Sequence, residues 1–192
     1  MKQSARLREG DIAQVKVTLR DIEPAIWRRL EVPAEIKLAR LHVALQIAMG
    51  WGDYHLHEFQ IGGVEYGVPD PDYEPMGVPM KDDRRAALLS VANVGDSFIY
   101  EYDFGDGWEH DIEVEAVLPP RPRTLHPRVV GGERSCPPDD VGGTSGYEGF
   151  LEAVRDPRHK EHDSMLEWAG GSFDPEVFDM DATNRELDLK FR

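Results

Sequence analysis

One stretch, residues 97–117, constrains the fold most, because apolar and polar residues alternate on both sides of a glycine-rich turn. Its first arm places Phe98, Tyr100 and Tyr102 on one face. Its second arm places on one face Trp108, His110, Ile112, Val114 and Ala116, and on the other Glu109, Asp111, Glu113 and Glu115. Successive strand residues point to opposite faces, and the glycines of Phe104-Gly105-Asp106-Gly107 permit positive φ. The sequence therefore predicts an antiparallel hairpin with one buried face.

A second hairpin and a helix are predicted towards the amino terminus. Residues 13–20 and 26–32 alternate in the same way. After them, an apolar stripe at helical spacing is formed by Leu38, Leu41, Leu45 and Met49, with Gly50 placed to end the helix. Residues 55–68 predict two short strands around Gly62-Gly63.

Helices are predicted for the carboxy-terminal part. Ser145 and Glu148 have the spacing of a capping box, and Pro157 is expected to end that helix. Further helices are predicted at about 160–169, from Asp174, and in the tail to Arg192. The order of elements predicts an α+β fold with a mixed or largely antiparallel sheet, a helix after the first hairpin and several carboxy-terminal helices.

The composition favours one domain in a reducing compartment. We expect a single domain over residues 1–192, with a strand-rich core and one main helix at 11–118 and a helical part at 144–192. Cys136 is the only cysteine, so no intrachain disulfide can form. Residues 1–10 are polar, and no apolar run approaches the length of a membrane span. These features predict a cytoplasmic protein without a signal peptide or membrane partner.

The charge balance restricts the partners. The chain has 37 acidic and 22 basic residues, a formal net charge of −15. A field of that sign repels phosphate backbones, so a nucleic-acid partner is not expected. A protein partner with a basic surface is the interaction that this charge favours.

Four motifs resemble those of the plasmid open-reading-frame-three-like family, which is named after a root-inducing plasmid and often labelled an insertion-element passenger or TnpR-like protein. The motifs are Trp27-Arg28-Arg29, Trp51 with His55-Leu56-His57-Glu58-Phe59, residues 102–110 (YDFGDGWEH) and residues 136–143 (CPPDDVGG). The resemblance implies a β-grasp-like sheet elaborated by carboxy-terminal helices, and an association with mobile elements. It implies no particular activity. The chain departs from the family at Asp139, where members usually carry Glu.

The same motifs contain the candidate metal ligands. Histidines, carboxylates and a thiol are supplied by His55, His57, Asp103, Asp106, His110, Glu133, Cys136 and Asp139, the last followed directly by Asp140. If the long loop at 119–143 folds over the mouth of the central hairpin, these groups converge. Imidazoles with a carboxylate or thiolate suit zinc or another divalent transition metal, and an open coordination position activates water. A metal-dependent hydrolase is therefore the first enzyme class to test.

Two other interpretations of these residues stay open. The histidines can be core residues bonded to Asp103, Asp106 or the backbone, with the glycines and aspartates building turns. Alternatively, they can form a polar ligand site without metal. If the protein is not an enzyme, the composition suits a non-catalytic protein interaction module linked to mobile elements.

Overall fold

The computed structural model describes residues 8–70, 79–121 and 126–192. Residues 1–7, on which part of the prediction of no signal peptide rests, lie outside the described residues. The strands are β1 (Ile12–Leu19), β2 (Trp27–Pro33), β3 (His57–Ile61), β4 (Val64–Gly67), β5 (Lys81–Asp82), β6 (Ser97–Tyr102), β7 (Trp108–Leu118) and β8 (Arg128–Glu133). The helices are α1 (Leu38–Met49), α2 (Leu88–Val91), α3 (Gly143–Arg155), α4 (His162–Trp168) and α5 (Met180–Phe191).

The described strands form one sheet in the order β5-β4-β3-β6-β7-β1-β2-β8. Every pair is antiparallel except β4 with β5. This arrangement confirms the predicted α+β fold with a mixed, largely antiparallel sheet. A β-grasp also begins with a hairpin followed by a helix, but its first strand has a parallel neighbour, whereas here β1 pairs antiparallel with β7.

The central hairpin of β6 and β7 has the predicted register. Tyr100 lies opposite His110 and Tyr102 lies opposite Trp108, and all four side chains are buried. The acids between them on β7 face outwards, where Arg20 pairs with Glu109 and with Asp111, at 2.6 Å each. The alternation of the sequence therefore gives the sheet a dry face and a charged face.

Helix α1 covers the dry face of the sheet. The predicted stripe residues Leu38, Leu41, Leu45 and Met49 are all buried. Gly50 ends the helix with φ of 85°, in the left-handed region that glycine adopts without a steric penalty. The chain then turns directly into residues 51–56, which lead to β3.

Strand β8 lies within residues 119–143, which the sequence predicted to be a long loop. It pairs antiparallel with β2 at the end of the sheet. Asn184 of α5 bonds to Val129 of β8 as a further strand would, because its Oδ1 accepts from the Val129 N–H (2.8 Å) and its Nδ2 donates to the carbonyl (2.9 Å). The helix thereby satisfies backbone groups at an edge of the sheet.

Three carboxy-terminal helices are present, but the predicted capping box and the predicted helix from Asp174 are wrong. Helix α3 starts at Gly143 after Gly142 at φ of 95°, and no side chain caps it, so the capping box at Ser145 does not form. Asp174 begins a turn in which its Oδ1 accepts from the Glu176 N–H (2.9 Å). None of the helices in the described ranges combines the length and apolar character needed to cross a membrane.

Candidate functional site

Three chain segments bring donor atoms together at one end of the central hairpin. His55 lies in the segment between α1 and β3, Asp103 directly follows β6, and Asp140 lies in the loop before α3. His55 Nε2 is 3.0 Å from Asp140 Oδ1 and 3.6 Å from Asp103 Oδ2. One donor atom from each of the three residues lies within 4.8 Å of the other two. We call these residues the triad.

Two triad residues have left-handed backbone conformations. Asp103 has φ of 55° and Asp140 has φ of 58°. Aspartate tolerates this region better than most residues, because its short polar side chain bonds locally. Asp103 does so, since its Oδ1 accepts from the Gly105 N–H at 3.0 Å. The turn therefore holds the carboxylate with its second oxygen, Oδ2, directed towards His55.

The Nε2 atom of His55 is buried without a hydrogen bond, although the side chain as a whole is 31% exposed. The Asp140 oxygen is within bonding distance, but it does not lie along the N–H direction that a hydrogen bond requires. Buried polar groups are almost always bonded. The atom thus occupies a position that the described protein groups do not satisfy.

Aromatic rings form the floor beneath the triad. The Trp51 ring stacks on Tyr102 at a centroid distance of 5.1 Å and on Trp108 at 6.0 Å, and Trp51 Nε1 donates to the Pro137 carbonyl (2.9 Å). The Tyr102 hydroxyl accepts from the Tyr54 N–H (3.2 Å), and burial raises the pKa of Tyr102 to about 12. A protonated tyrosine therefore holds the segment that carries His55.

The loop that carries Asp140 is fixed by two neighbouring carboxylates. Asp139 Oδ2 accepts from the Gly52 N–H (2.8 Å), and Asp106 Oδ2 accepts from the Gly142 N–H (3.1 Å). Burial raises the pKa of Asp139, and the nearby Asp140 charge raises it further. These bonds join the loop both to the Trp51 turn and to the hairpin turn.

His57 belongs to a second group, which we call the stacked pair. Its ring lies parallel to that of His42, with centroids 3.5 Å apart. His57 Nε2 bonds to buried Asp83 (2.9 Å), while His42 bonds to the Tyr100 hydroxyl and to Asp53, at 2.7 Å each. Burial, followed by the neighbouring His57, lowers the pKa of His42 to about 4.

The remaining predicted ligands have other surroundings. His110 is fully buried, its Nδ1 donates to the Tyr100 carbonyl (3.2 Å), and burial lowers its pKa to about 4. Cys136 accepts from Arg28 Nη2 (3.2 Å) and contacts Met49 Sδ (3.5 Å), and burial raises its pKa to about 11. The Glu133 side chain is exposed.

The triad therefore contains two of the eight predicted ligands, His55 and Asp103, together with Asp140. The sequence placed Asp140 on the right loop but selected its neighbour Asp139. Asp139 follows two prolines and bonds back to Gly52. Asp140 has a left-handed backbone conformation, and its carboxylate approaches His55.

Fold and site define an α+β protein with an acidic, histidine-containing cluster at one end of a mostly antiparallel sheet. The chain belongs to the family described as plasmid pRiA4b ORF-3-like protein, which it matches over residues 11–182. It is 44% identical over 182 residues to the uncharacterised protein y4hQ of Sinorhizobium fredii, covering 93% of this chain and 92% of that one. It is also similar to the crystal structure of MM3350, a protein of unknown function from Methanosarcina mazei, with a TM-score of 0.78 and 33% identity over 91% of this chain and 98% of that chain.

Proposed function

We propose that His55, Asp103 and Asp140 bind one divalent transition metal ion such as zinc. The observation that carries the proposal is the buried His55 Nε2, which lacks a hydrogen bond although two carboxylates approach it. One ion shared by the three donor atoms explains their convergence from separate segments more simply than separate hydrogen bonds between pairs of residues do. A metal ion at that centre would satisfy Nε2.

The donor separations support the proposal. Zinc lies about 2.0–2.1 Å from nitrogen and oxygen ligands, which puts neighbouring ligands of a tetrahedral ion about 3.4 Å apart. The two distances from His55 Nε2, 3.0 and 3.6 Å, fall on either side of that value. Only small side-chain movements are needed for the ion to enter.

The charges also suit a divalent ion. A neutral imidazole with two carboxylates balances the two positive charges of the metal. The Asp140 side chain is 66% exposed, so solvent reaches the outer side of the site. Three protein ligands leave a coordination position at which a metal lowers the pKa of bound water. We therefore propose metal-dependent hydrolysis as the activity to test.

The test is metal content and affinity of untagged protein. Wild type is compared with His55→Ala and Asp140→Asn, where asparagine keeps the left-handed backbone at position 140. His126→Ala is the matched control, since it removes an imidazole outside the triad. Elemental analysis is followed by zinc titration calorimetry on protein stripped with a chelator.

We expect about one equivalent of zinc in wild type and in His126→Ala, and at least about a hundredfold weaker binding in both triad variants, because even outer-shell partners contribute 10–100-fold. Wild type that takes up no zinc, manganese, cobalt or nickel would overturn the proposal. The interaction module would then become the better hypothesis. If metal binds, the loaded protein is screened against ester, amide and phosphoester substrates.

A further inference from the structure

A cleft of about 560 Å³ opens beside Asp140, between α3 and α4. Its size is that of sites for small organic molecules. Asp140 belongs to the triad and also lines this cleft, so the two sites share a wall. A ligand in the cleft would lie next to the proposed metal.

Aromatic and apolar side chains form one side of the cleft. Phe150 is buried and contacts the edge of the Trp168 ring at a centroid distance of 5.9 Å, while Trp168 is 49% exposed. Met165 of α4 also lines the cleft. An exposed indole on a packed base offers a flat surface against which a planar group can stack.

Gly149 keeps part of the α3 wall of the cleft open. It lies in the middle of α3, where glycine is a poor helix former. A Cβ at this position would meet no described atom within 4 Å, and the backbone has no positive φ that would require glycine. No local packing or conformation accounts for the residue, whereas a side chain here would project into the cleft.

The charges at the cleft are mainly negative. Asp140, Glu152 and Glu161 line it together with a single lysine, Lys160, whose Nζ lies 3.9 Å from Glu161 Oε1. His159 Nδ1 accepts from the Glu161 N–H (3.2 Å). The Glu152 carboxylate forms no hydrogen bond or ion pair with the described part of the chain. If a metal ion neutralises Asp140, two carboxylates, Glu152 and Glu161, still face one lysine in the cleft.

We propose that this cleft binds a flat organic cation, with an amine or amidinium group on an apolar body. The apolar body stacks on Trp168 and the cation faces Glu152, with a further contribution from the aromatic face. On the proposed function, on which this part rests, the cation is the molecule presented to the metal at Asp140. The binding itself requires only the cleft.

The experiment is a titration of isotope-labelled, untagged protein followed by the four tryptophan indole N–H signals. The probes are benzamidine, a flat cation, and benzoate, its anionic counterpart of similar size. Each is added to chelator-stripped and to zinc-loaded wild type. Because Trp51 and Trp108 are buried, their indoles are internal references for Trp168.

We expect benzamidine to shift the Trp168 indole signal in both forms and to bind at least about tenfold more tightly than benzoate. Gly149→Leu should weaken binding at least about tenfold while leaving the unfolding temperature unchanged or raised. Glu152→Gln should weaken binding by about three- to tenfold, and Glu148→Gln, one helical turn earlier and outside the cleft, should not.

The proposal is overturned if benzoate binds as tightly as benzamidine, if neither shifts Trp168, or if both Gly149→Leu and Glu152→Gln bind like wild type. Should Gly149→Leu fail to fold, the comparison of Glu152→Gln with Glu148→Gln decides. Zinc binding is measured separately, by the titration calorimetry described for the proposed function. Benzamidine binding without zinc binding supports the cleft and removes the proposed function, and zinc binding without benzamidine binding does the reverse.

Discussion

The triad and the stacked pair contain histidines only two residues apart in sequence, yet their surroundings differ sharply. His57 is buried against His42, and its Nε2 bonds to buried Asp83. His55 lies at the surface with Nε2 unsatisfied between two carboxylates. The comparison teaches that a His-x-His pattern does not define a role. His57 Nε2 has a buried carboxylate partner and supports the fold, whereas His55 Nε2 lies unsatisfied between two carboxylates near the surface, where a ligand can reach it.

Removing His57 should give the largest effect on stability. His57→Ala leaves the Asp83 carboxylate buried without its histidine partner, and breaking a buried pair in this way costs about 3–5 kcal/mol. Urea denaturation measures the loss, and zinc binding by the folded fraction should stay within about threefold of wild type. A loss below about 1 kcal/mol would show that the stacked pair does not support the fold.

The buried histidines should make the fold sensitive to acid. The pKa of His110 is lowered from 6.5 to about 4, so the unfolded chain takes up a proton that the folded protein does not. The contribution of neutral His110 to the free energy of unfolding is complete above pH 6.5. It falls by on the order of 3 kcal/mol as the pH is lowered towards 4. Urea unfolding between pH 7 and 4 should show a shallower decline in His110→Leu than in wild type. Parallel curves would contradict this origin.

Metal bound at the triad should stabilise the folded protein. An ion that binds only the folded state adds about 2.7 kcal/mol at a free concentration one hundred times its Kd. We expect this increase from zinc in wild type and at most about 0.4 kcal/mol in Asp140→Asn, because the variant binds at least about a hundredfold more weakly. The shift in thermal unfolding measures both. An equal shift in both proteins would place the bound metal elsewhere.

Without metal, Asp140→Asn should have the smallest effect of these variants on the free energy of unfolding. Asp140 is exposed and asparagine accepts its backbone conformation, so Asp140→Asn should change the free energy of unfolding by no more than about 0.5 kcal/mol. Chelator-stripped proteins compared in urea test this. A larger loss would mean that Asp140 is mainly a structural ion-pair partner.

The fold was predictable where the pattern is local and regular. Alternation identified β1, β2, β6 and β7, and the helical stripe with Gly50 identified α1, because each places one buried face at a constant period. Strand β8 was missed because its sequence, RVVGGE, has no alternation and its partner β2 lies about a hundred residues earlier. The capping box failed because the glycines at 142 and 143 let the helix begin earlier.

For the candidate site, the sequence indicated the chain segments better than the individual residues. The sequence selected the three motifs that meet at the hairpin mouth. It began the predicted strand at residue 55, but β3 begins at His57, so His55 lies in the segment before the strand. The partner of His57, Asp83, comes from outside all the motifs, and no local pattern signals that contact.

The bonds between the Asn184 amide and Val129 form only after α5 has been synthesised, long after β8. During synthesis β8 leaves the ribosome about fifty residues before α5, and until the helix docks, the backbone of Val129 has no partner at that edge. A strand in that state can pair with the same strand of a neighbouring nascent chain. Docking of helix α5 covers this edge late in synthesis. We therefore expect a weakened helix to lower the yield of soluble protein before it changes the properties of the finished fold.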